Sequence, residues 1–298
     1  MNDHGHPEGI GGSFYERAAL RIRSDPAQEE FVRWCYLDDP LDAAHRFKDS
    51  DEFSEVCRLL SIRVNGRGKK VLDVGCGNGI ASFAFASRGC EVVALEPDPS
   101  SIVGNVAVAS LLPALASGSI EIANTMLEEY QDHGGGFDIV YMRQVAHHFP
   151  SLEEGISRCV ELLKPRGTFL MTREHVVDTP ADLEIFKQRH AFVQDGVEEK
   201  AYPANRYRDA MARAGLSQIR EWGPYDSVIN FYPARPGAVK AKARNLMNAC
   251  FGRPSVFLFC HVPAVERWAL RALSERNRTP GRLFTFLGVK GSMKGSVY

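Results

Sequence analysis

Residues 71–100 read VLDVGCGNGIASFAFASRGCEVVALEPDPS. Val71, Leu72 and Val74 give a short buried strand, interrupted only by Asp73. Gly75, Gly77 and Gly79 then alternate with Cys76 and Asn78 ahead of Ile80 to Arg88, a run of helical character. A strand that turns through glycines into a helix gathers backbone N–H groups and the positive helix end at one point. Such a point suits an adenosine-type ligand. The second strand closes on Glu96, 21 residues after Gly75, where a carboxylate can accept both hydroxyls of a ribose. Nicotinamide and flavin binders usually carry G-x-G-x-x-G, whereas the spacing here is G-x-G-x-G.

Around this unit strand and helix signals alternate. Strands are predicted at 70–75, 91–95, 118–122, 137–142 and 167–173, with helices between them at 79–89, 99–111 and 151–163. That is the pattern of an α/β, doubly wound, mostly parallel sheet. Lys164-Pro165-Arg166-Gly167 closes one helix and turns into the next strand. Upstream, helices are predicted at 13–23, 27–37 and 50–63, the last with Ser50 as N-cap, and residues 1–12 are expected to be disordered. Beyond 173 the regular spacing fails. A helix-like stretch within 176–202, a helix at 203–214 and a strand at 216–222 lead to a long interval before RLFTFLGVK, 282–290, a final strand. The expected division is an N-terminal helical segment (1–67), a ligand-binding core (68–175), an insertion (176–202), the core continued (203–222), a basic helical insertion (223–281), and the last strand and tail (282–298).

Composition narrows the class. With 44% hydrophobic and 24% charged residues over 298 positions, the chain can build a large core and is ordinary globular material. Its seven cysteines are odd in number and include no Cys-x-x-Cys pair, as expected of free thiols in a reducing cytoplasm rather than of a disulfide frame or zinc site. No apolar run approaches the roughly 18 residues of a membrane span. The net charge of −1 hides an asymmetry. From Gly223 onward twelve Lys/Arg face only Asp226, Glu266 and Glu275, a surplus of nine, which leaves −10 on the first 222 residues. The basic segment is either a solvated helical face or a surface for an anionic substrate, membrane or nucleic acid.

The glycine turn, the second-strand acid, FDIVYMRQVAHHF (137–149) and LKPRGTFLMTRE (163–174) occur in order. In this combination the chain resembles class I S-adenosylmethionine-dependent methyltransferases. The resemblance covers 68–175 well, and 203–222 with 282–290 more loosely. It implies a seven-stranded Rossmann-like sheet with an antiparallel last strand, and S-adenosylmethionine as cofactor. By the same resemblance Asp73 reaches the methionine end, Gly75, Cys76, Gly77 and Gly79 line it, Glu96 and Pro97 lie at the ribose, and Thr125 and Met126 flank adenine. Arg143 and Gln144 would border the cofactor. Both loops that follow the fifth and sixth strands leave the ligand edge, so 176–202 and 223–281 are expected to form a lid.

Methyl transfer from a sulfonium is an in-line displacement, and a hydroxyl acceptor also needs a base. Histidine suits that role. His147 and His148 follow the fourth strand, and Glu174 and His175 end the fifth, so the two strand ends could pair an imidazole with a carboxylate. Sugar O-methyltransferases resemble this, with an acidic residue where Arg173 stands here. Ubiquinone-pathway O-methyltransferases are similar at Gln144, His147 and His148 but carry glutamates at the first two positions, where they bind a divalent ion. Gln and His remove the hard oxygen ligands that magnesium prefers, so no metal is expected. The Asp/Asn-Pro-Pro-aromatic signature of base-amine methylation is absent at 141–144. The leading expectation is O-methylation of a small molecule or glycan, the acceptor being anionic or sugar-bearing. N- or C-methylation of a metabolite, nucleic-acid methylation and a non-catalytic cofactor-binding subunit stay open.

Overall fold

In a computed structural model that describes residues 13–62, 66–193 and 196–292, four helices precede the sheet. They are α1 (Phe14–Ser24), α2 (Glu29–Cys35), α3 (Pro40–Lys48) and α4 (Asp51–Leu59). Three begin where a short polar side chain takes up free N–H groups. Ser13 accepts from Glu16, Asp39 from Leu41 and Asp42, and Ser50 from Phe53. The sequence reading leaves 38–49 unassigned, yet Asp39 followed by Pro40 is a helix start, and α3 fills that gap. The helix predicted to reach residue 63 stops at Leu59. The disorder expected at 1–12 lies outside the described residues, as does the tail from 293 onward.

The alternating part follows as β1 (Lys70–Val74), α5 (Ile80–Ser87), β2 (Glu91–Leu95), α6 (Asn105–Leu111), β3 (Ser119–Ala123), β4 (Phe137–Arg143), α7 (Leu152–Glu161) and β5 (Leu163–Val176). Then come α8 (Pro180–Arg189), α9 (Ala204–Arg213), β6 (Leu216–Trp222), three consecutive helices α10 (Pro236–Phe251), α11 (Arg253–His261) and α12 (Pro263–Arg276), and β7 (Arg282–Lys290). The strand order is β3-β2-β1-β4-β5-β7-β6. The first five are parallel, and β7 runs antiparallel to both β5 and β6. This is the expected doubly wound, mostly parallel sheet of seven strands with an antiparallel last strand.

Side chains alternate across the sheet, so neighbouring residues feed opposite cores. Val71, Ile139, Tyr141 and Leu170 point into a layer with Phe83, Phe85, Phe47 and Phe53. Leu72, Val140, Met142, Phe169 and Met171 point into the other, with Ile156, Tyr207 and Met211. Each such fully buried side chain contributes about 1.5–3 kcal/mol relative to leaving it in water. The helices α10–α12 pack around their own cluster, Val239, Ala243, Met247, Phe259 and Ala269, closed by Phe231.

Two elements depart from expectation in ways that shape the site. α6 starts at Asn105, not at 99, because Ser100 turns the chain by accepting from the Ile102 and Val103 N–H groups. β5 extends over 163–176 and carries an irregularity in its pairing with β7 between Met171 and Glu174, where Arg173 adopts φ 60°. A bulge of this kind resets which side chains face which layer.

Candidate active site

The carboxyl ends of β1, β2 and β4 open on a cleft of about 450 Å³. Its floor is the glycine turn, with Asp73, Gly75, Cys76 and Gly77. Gly77 sits at φ 56°, and a Cβ there would meet nothing nearer than the Val103 carbonyl at 3.7 Å, so the space beside it belongs to the cleft. Glu96 and Pro97 form one wall, Thr125, Met126 and Leu127 another, and Arg143 and Gln144 a third. Gly79 does not line the cleft; it precedes α5, where an added Cβ would meet Val108 at 2.9 Å. The roof is N-terminal: Tyr15, Cys35 and Leu37, together with Phe192 from the first insertion. Residues 223–281 border a neighbouring cavity instead.

The charged groups of the cleft are held before any ligand arrives. Glu96 Oε2 accepts from the Gly77 N–H (2.9 Å) and Oε1 from the Asp98 N–H (3.0 Å). Burial pushes the Asp73 carboxyl up to about 7, although Ser82 donates to it at 2.7 Å. Arg143 is tied back to Glu52, with Nε 2.8 Å from Oε1, and Arg173 donates to the other oxygen of Glu52 at 3.1 Å. Burial alone would raise the Glu52 carboxyl, but the two guanidiniums hold it below the ordinary range. The α1 helix is latched to the β2 loop by Ser13, which donates to Asp98, and by Ser100, which donates to Glu16 at 2.9 Å.

Beside the cleft lies a cluster of imidazoles and carboxylates. The bulge in β5 turns Glu174 toward the segment after β4, where its carboxylate accepts from the N–H groups of Val145, Ala146 and His147. Glu174 Oε2 also lies 2.7 Å from His147 Nδ1. The other ring nitrogen of His147 is 3.2 Å from Glu199. Burial disfavours charge on this ring, yet Glu174 and Glu199 raise it to about 9, so it is an imidazolium at neutral pH. His148 is the opposite case: burial and the neighbouring His147 push it down to about 4. Its Nε2 lies 2.7 Å from the Tyr15 hydroxyl. His175 is also neutral, lowered chiefly by burial, with Nδ1 2.9 Å from the Gly281 carbonyl. A carbonyl only accepts, so that nitrogen carries the proton.

His147, His148, His175, His190 and Glu199 line a second cavity of about 980 Å³. Phe31, Phe231 and Tyr232 supply ring faces there, Arg189 and Lys242 supply positive charge, and Arg282 is paired with Asp178 at 2.6 Å. The two cavities share Tyr15, Cys35, Leu37, Gln144, His148 and Phe192. The predicted residues His147, His148, Glu174 and His175 are therefore gathered in one cluster. Tyr15 and Glu199 belong to it as well and escape the sequence reading. Glu199 stands in the charged run Glu198-Glu199-Lys200, which looks like solvated surface, and is 2% exposed.

The family model described as a methyltransferase domain matches residues 44–235. Among curated proteins the chain is similar to ubiquinone biosynthesis O-methyltransferases. That of Cronobacter sakazakii is 38% identical over 103 residues, 34% of this chain and 40% of its own length. That of Rhodopseudomonas palustris is 33% identical over 155 residues, 52% of this chain and 53% of its own. The chain thus spans about half the length of the curated relatives it matches. Among solved structures, phosphoethanolamine N-methyltransferase 2 of Haemonchus contortus, in complex with phosphomonomethylethanolamine and S-adenosylhomocysteine, superposes with a TM-score of 0.54. It is 16% identical, and the match covers 96% of this chain and 62% of that one. The YcgJ protein of Bacillus subtilis superposes with a TM-score of 0.50 at 18% identity, covering 81% of this chain and 98% of that one. At these identities the superpositions speak to the fold.

Proposed function

The chain belongs to the methyltransferase domain family, and we propose from that membership that it moves a methyl group from S-adenosylmethionine to a hydroxyl of a small or glycan acceptor. The donor occupies the 450 Å³ cleft and supplies a methyl on a sulfonium that already carries its leaving group. The residues present fit it: an open cradle at Gly77, a preset carboxylate at Glu96 for the ribose, and Thr125 and Met126 beside the adenine. The acceptor occupies the 980 Å³ cavity, where Arg189 and Lys242 favour an anionic group and the aromatic rings favour a sugar or ring body.

The observation that carries this reading is that His148 borders both cavities and is neutral. A neutral ring at the junction can take the proton that an attacking hydroxyl releases. His147, already an imidazolium, cannot; it holds Glu174 and Glu199 in place instead. Glu199 Oε2 is shut off from solvent 3.2 Å from that ring, so it orients His147 rather than meeting the acceptor. With an acceptor identified by product formation, His148→Gln is expected to lower kcat by about 10²–10⁴-fold while leaving the dissociation constant for S-adenosylmethionine within about twofold. An unchanged kcat would remove His148 from the reaction.

One observation favours a second reading of the same cluster. Donor atoms of His147, His148 and Glu199 lie within 4.8 Å of one another, which a divalent ion could bridge. Two nitrogens and one carboxylate suit a transition ion better than magnesium. Activity lost to a chelator and restored by a transition ion would favour this reading over the free base.

A further inference from the structure

The helices α10–α12 carry an apolar surface that nothing among the described residues covers. Phe251 is 60% exposed, Phe257 64%, Leu258 46%, Val262 37% and Trp268 54%. On α11, Arg253, Pro254, Phe257, Leu258 and His261 recur at spacings of three and four, opposite the buried Ser255 and Phe259. The Phe257 and His261 rings stack at 4.2 Å, and those of Phe251 and Trp268 approach to 5.9 Å. The apolar stripe of α11 is thus flanked by aromatic rings at the end of α10 and in the first half of α12. Single exposed apolar side chains are ordinary, whereas five large ones on adjoining helices form a patch.

The charge on these helices is mainly positive. Between 235 and 278 nine Lys/Arg stand against Glu266 and Glu275, and no acidic residue occurs from Arg235 to Val265. Large aromatic and aliphatic side chains beside unopposed cations are what an interfacial helix presents to anionic headgroups.

We propose that this face docks the protein on an anionic phospholipid bilayer. Phe257, Leu258, Val262 and Trp268 enter the interface, and Arg253, Arg244 and Arg267 meet the headgroups. None of the described helices is long and apolar enough to cross a membrane, so the contact is peripheral. Leu258 and Val262 have no π-face to stack on a base, which disfavours nucleic acid as the occupant. Two copies meeting through this face would bring like charges together, which disfavours self-association. The inference is independent of the methyl-transfer reading.

The test is flotation of the full chain with vesicles of phosphatidylglycerol and phosphatidylcholine, or of phosphatidylcholine alone. Binding is expected on the anionic vesicles at low salt, at least about fivefold weaker on the neutral ones, and weakened by raised salt. Phe257→Ser with Leu258→Ser should reduce binding at least about fivefold with an unchanged Tm, because both side chains are exposed. Arg253→Glu with Arg267→Glu should do the same and leaves the apolar stripe intact. The proposal is overturned if no vesicle floats the protein at low salt, or if both double variants bind as the wild type does. It is equally overturned if the face binds RNA but not vesicles, or if the first double variant splits a solution dimer while vesicle binding is absent.

Discussion

Glu96 shows how a single side chain can be set in advance. Its two oxygens accept from the N–H groups of Gly77 and Asp98, so its position is fixed by the backbone of the glycine turn and of its own loop. Each oxygen keeps a second lone pair for a ligand. Glu96→Ala is expected to cost about 1.5–3 kcal/mol of donor binding, a tenfold or greater rise in the dissociation constant by calorimetry. Unchanged affinity in a folded variant would place the ribose elsewhere. The glycines divide on the same basis. A Cβ at Gly77 enters open cleft, whereas a Cβ at Gly104 would lie 2.1 Å from the Asp98 carbonyl oxygen. A substitution at 77 therefore acts on the ligand, and one at 104 acts on the fold.

At the scale of elements, two buried ionic groups join segments distant in sequence. Glu52 of α4 binds Arg143 at the end of β4 and Arg173 of β5. All three side chains are nearly excluded from water, and Arg173 keeps Nε and Nη2 without partners. Glu52→Gln would leave two buried guanidiniums without their carboxylate and should cost about 3–5 kcal/mol in chemical denaturation. A loss under about 1 kcal/mol would show that water reaches the pair. The second group is His147 with Glu174 and Glu199. Its folded pKa of about 9 exceeds the unfolded value near 6.5, so its stabilisation is complete below pH 6.5 and is lost as pH rises through about 9. Comparing wild type with His147→Gln isolates this effect from other titrating groups. The stability difference between them should shrink by on the order of 3 kcal/mol from pH 6.5 to 9.5. A constant difference would mean that the ring is not charged in the folded protein.

Over the whole molecule, what the sequence revealed and what it concealed separate by range. The sheet was legible because Val71, Leu72 and Val74, and their counterparts in β2 and β4, form short apolar runs broken by at most one aspartate, the first ended by a glycine and the second by a proline signal. The glycine turn and Glu96 were legible because one strand–turn–helix unit contains them. The pairing of Glu174 with an imidazole was legible from the two adjacent strand ends, but the bulge at Arg173 that turns Glu174 toward His147 leaves no trace in a period-two pattern. Tyr15 and Glu199 are 184 residues apart and meet through packing that no local pattern encodes. The basic segment was seen as a block, but only the structure separates Lys242, at the second cavity, from Arg253 and Phe257 on the outer face of α11.

The latch of α1 over the cleft has a kinetic consequence. Ser13 and Glu16 tie that helix to the β2 loop, and Tyr15 between them lines both cavities. An acceptor seated against Tyr15 and His148 braces the latch from the other side, so the donor beneath it can neither enter nor leave. Substrates should therefore add in a fixed sequence, donor first, and the demethylated donor should leave last. Product-inhibition patterns decide this: S-adenosylhomocysteine should compete with S-adenosylmethionine alone, and the methylated acceptor with neither substrate in a purely competitive way. Weakening the latch with Ser13→Ala and Ser100→Ala should shift that obligatory sequence toward random entry, with donor exchange made faster and retention of the spent donor made shorter.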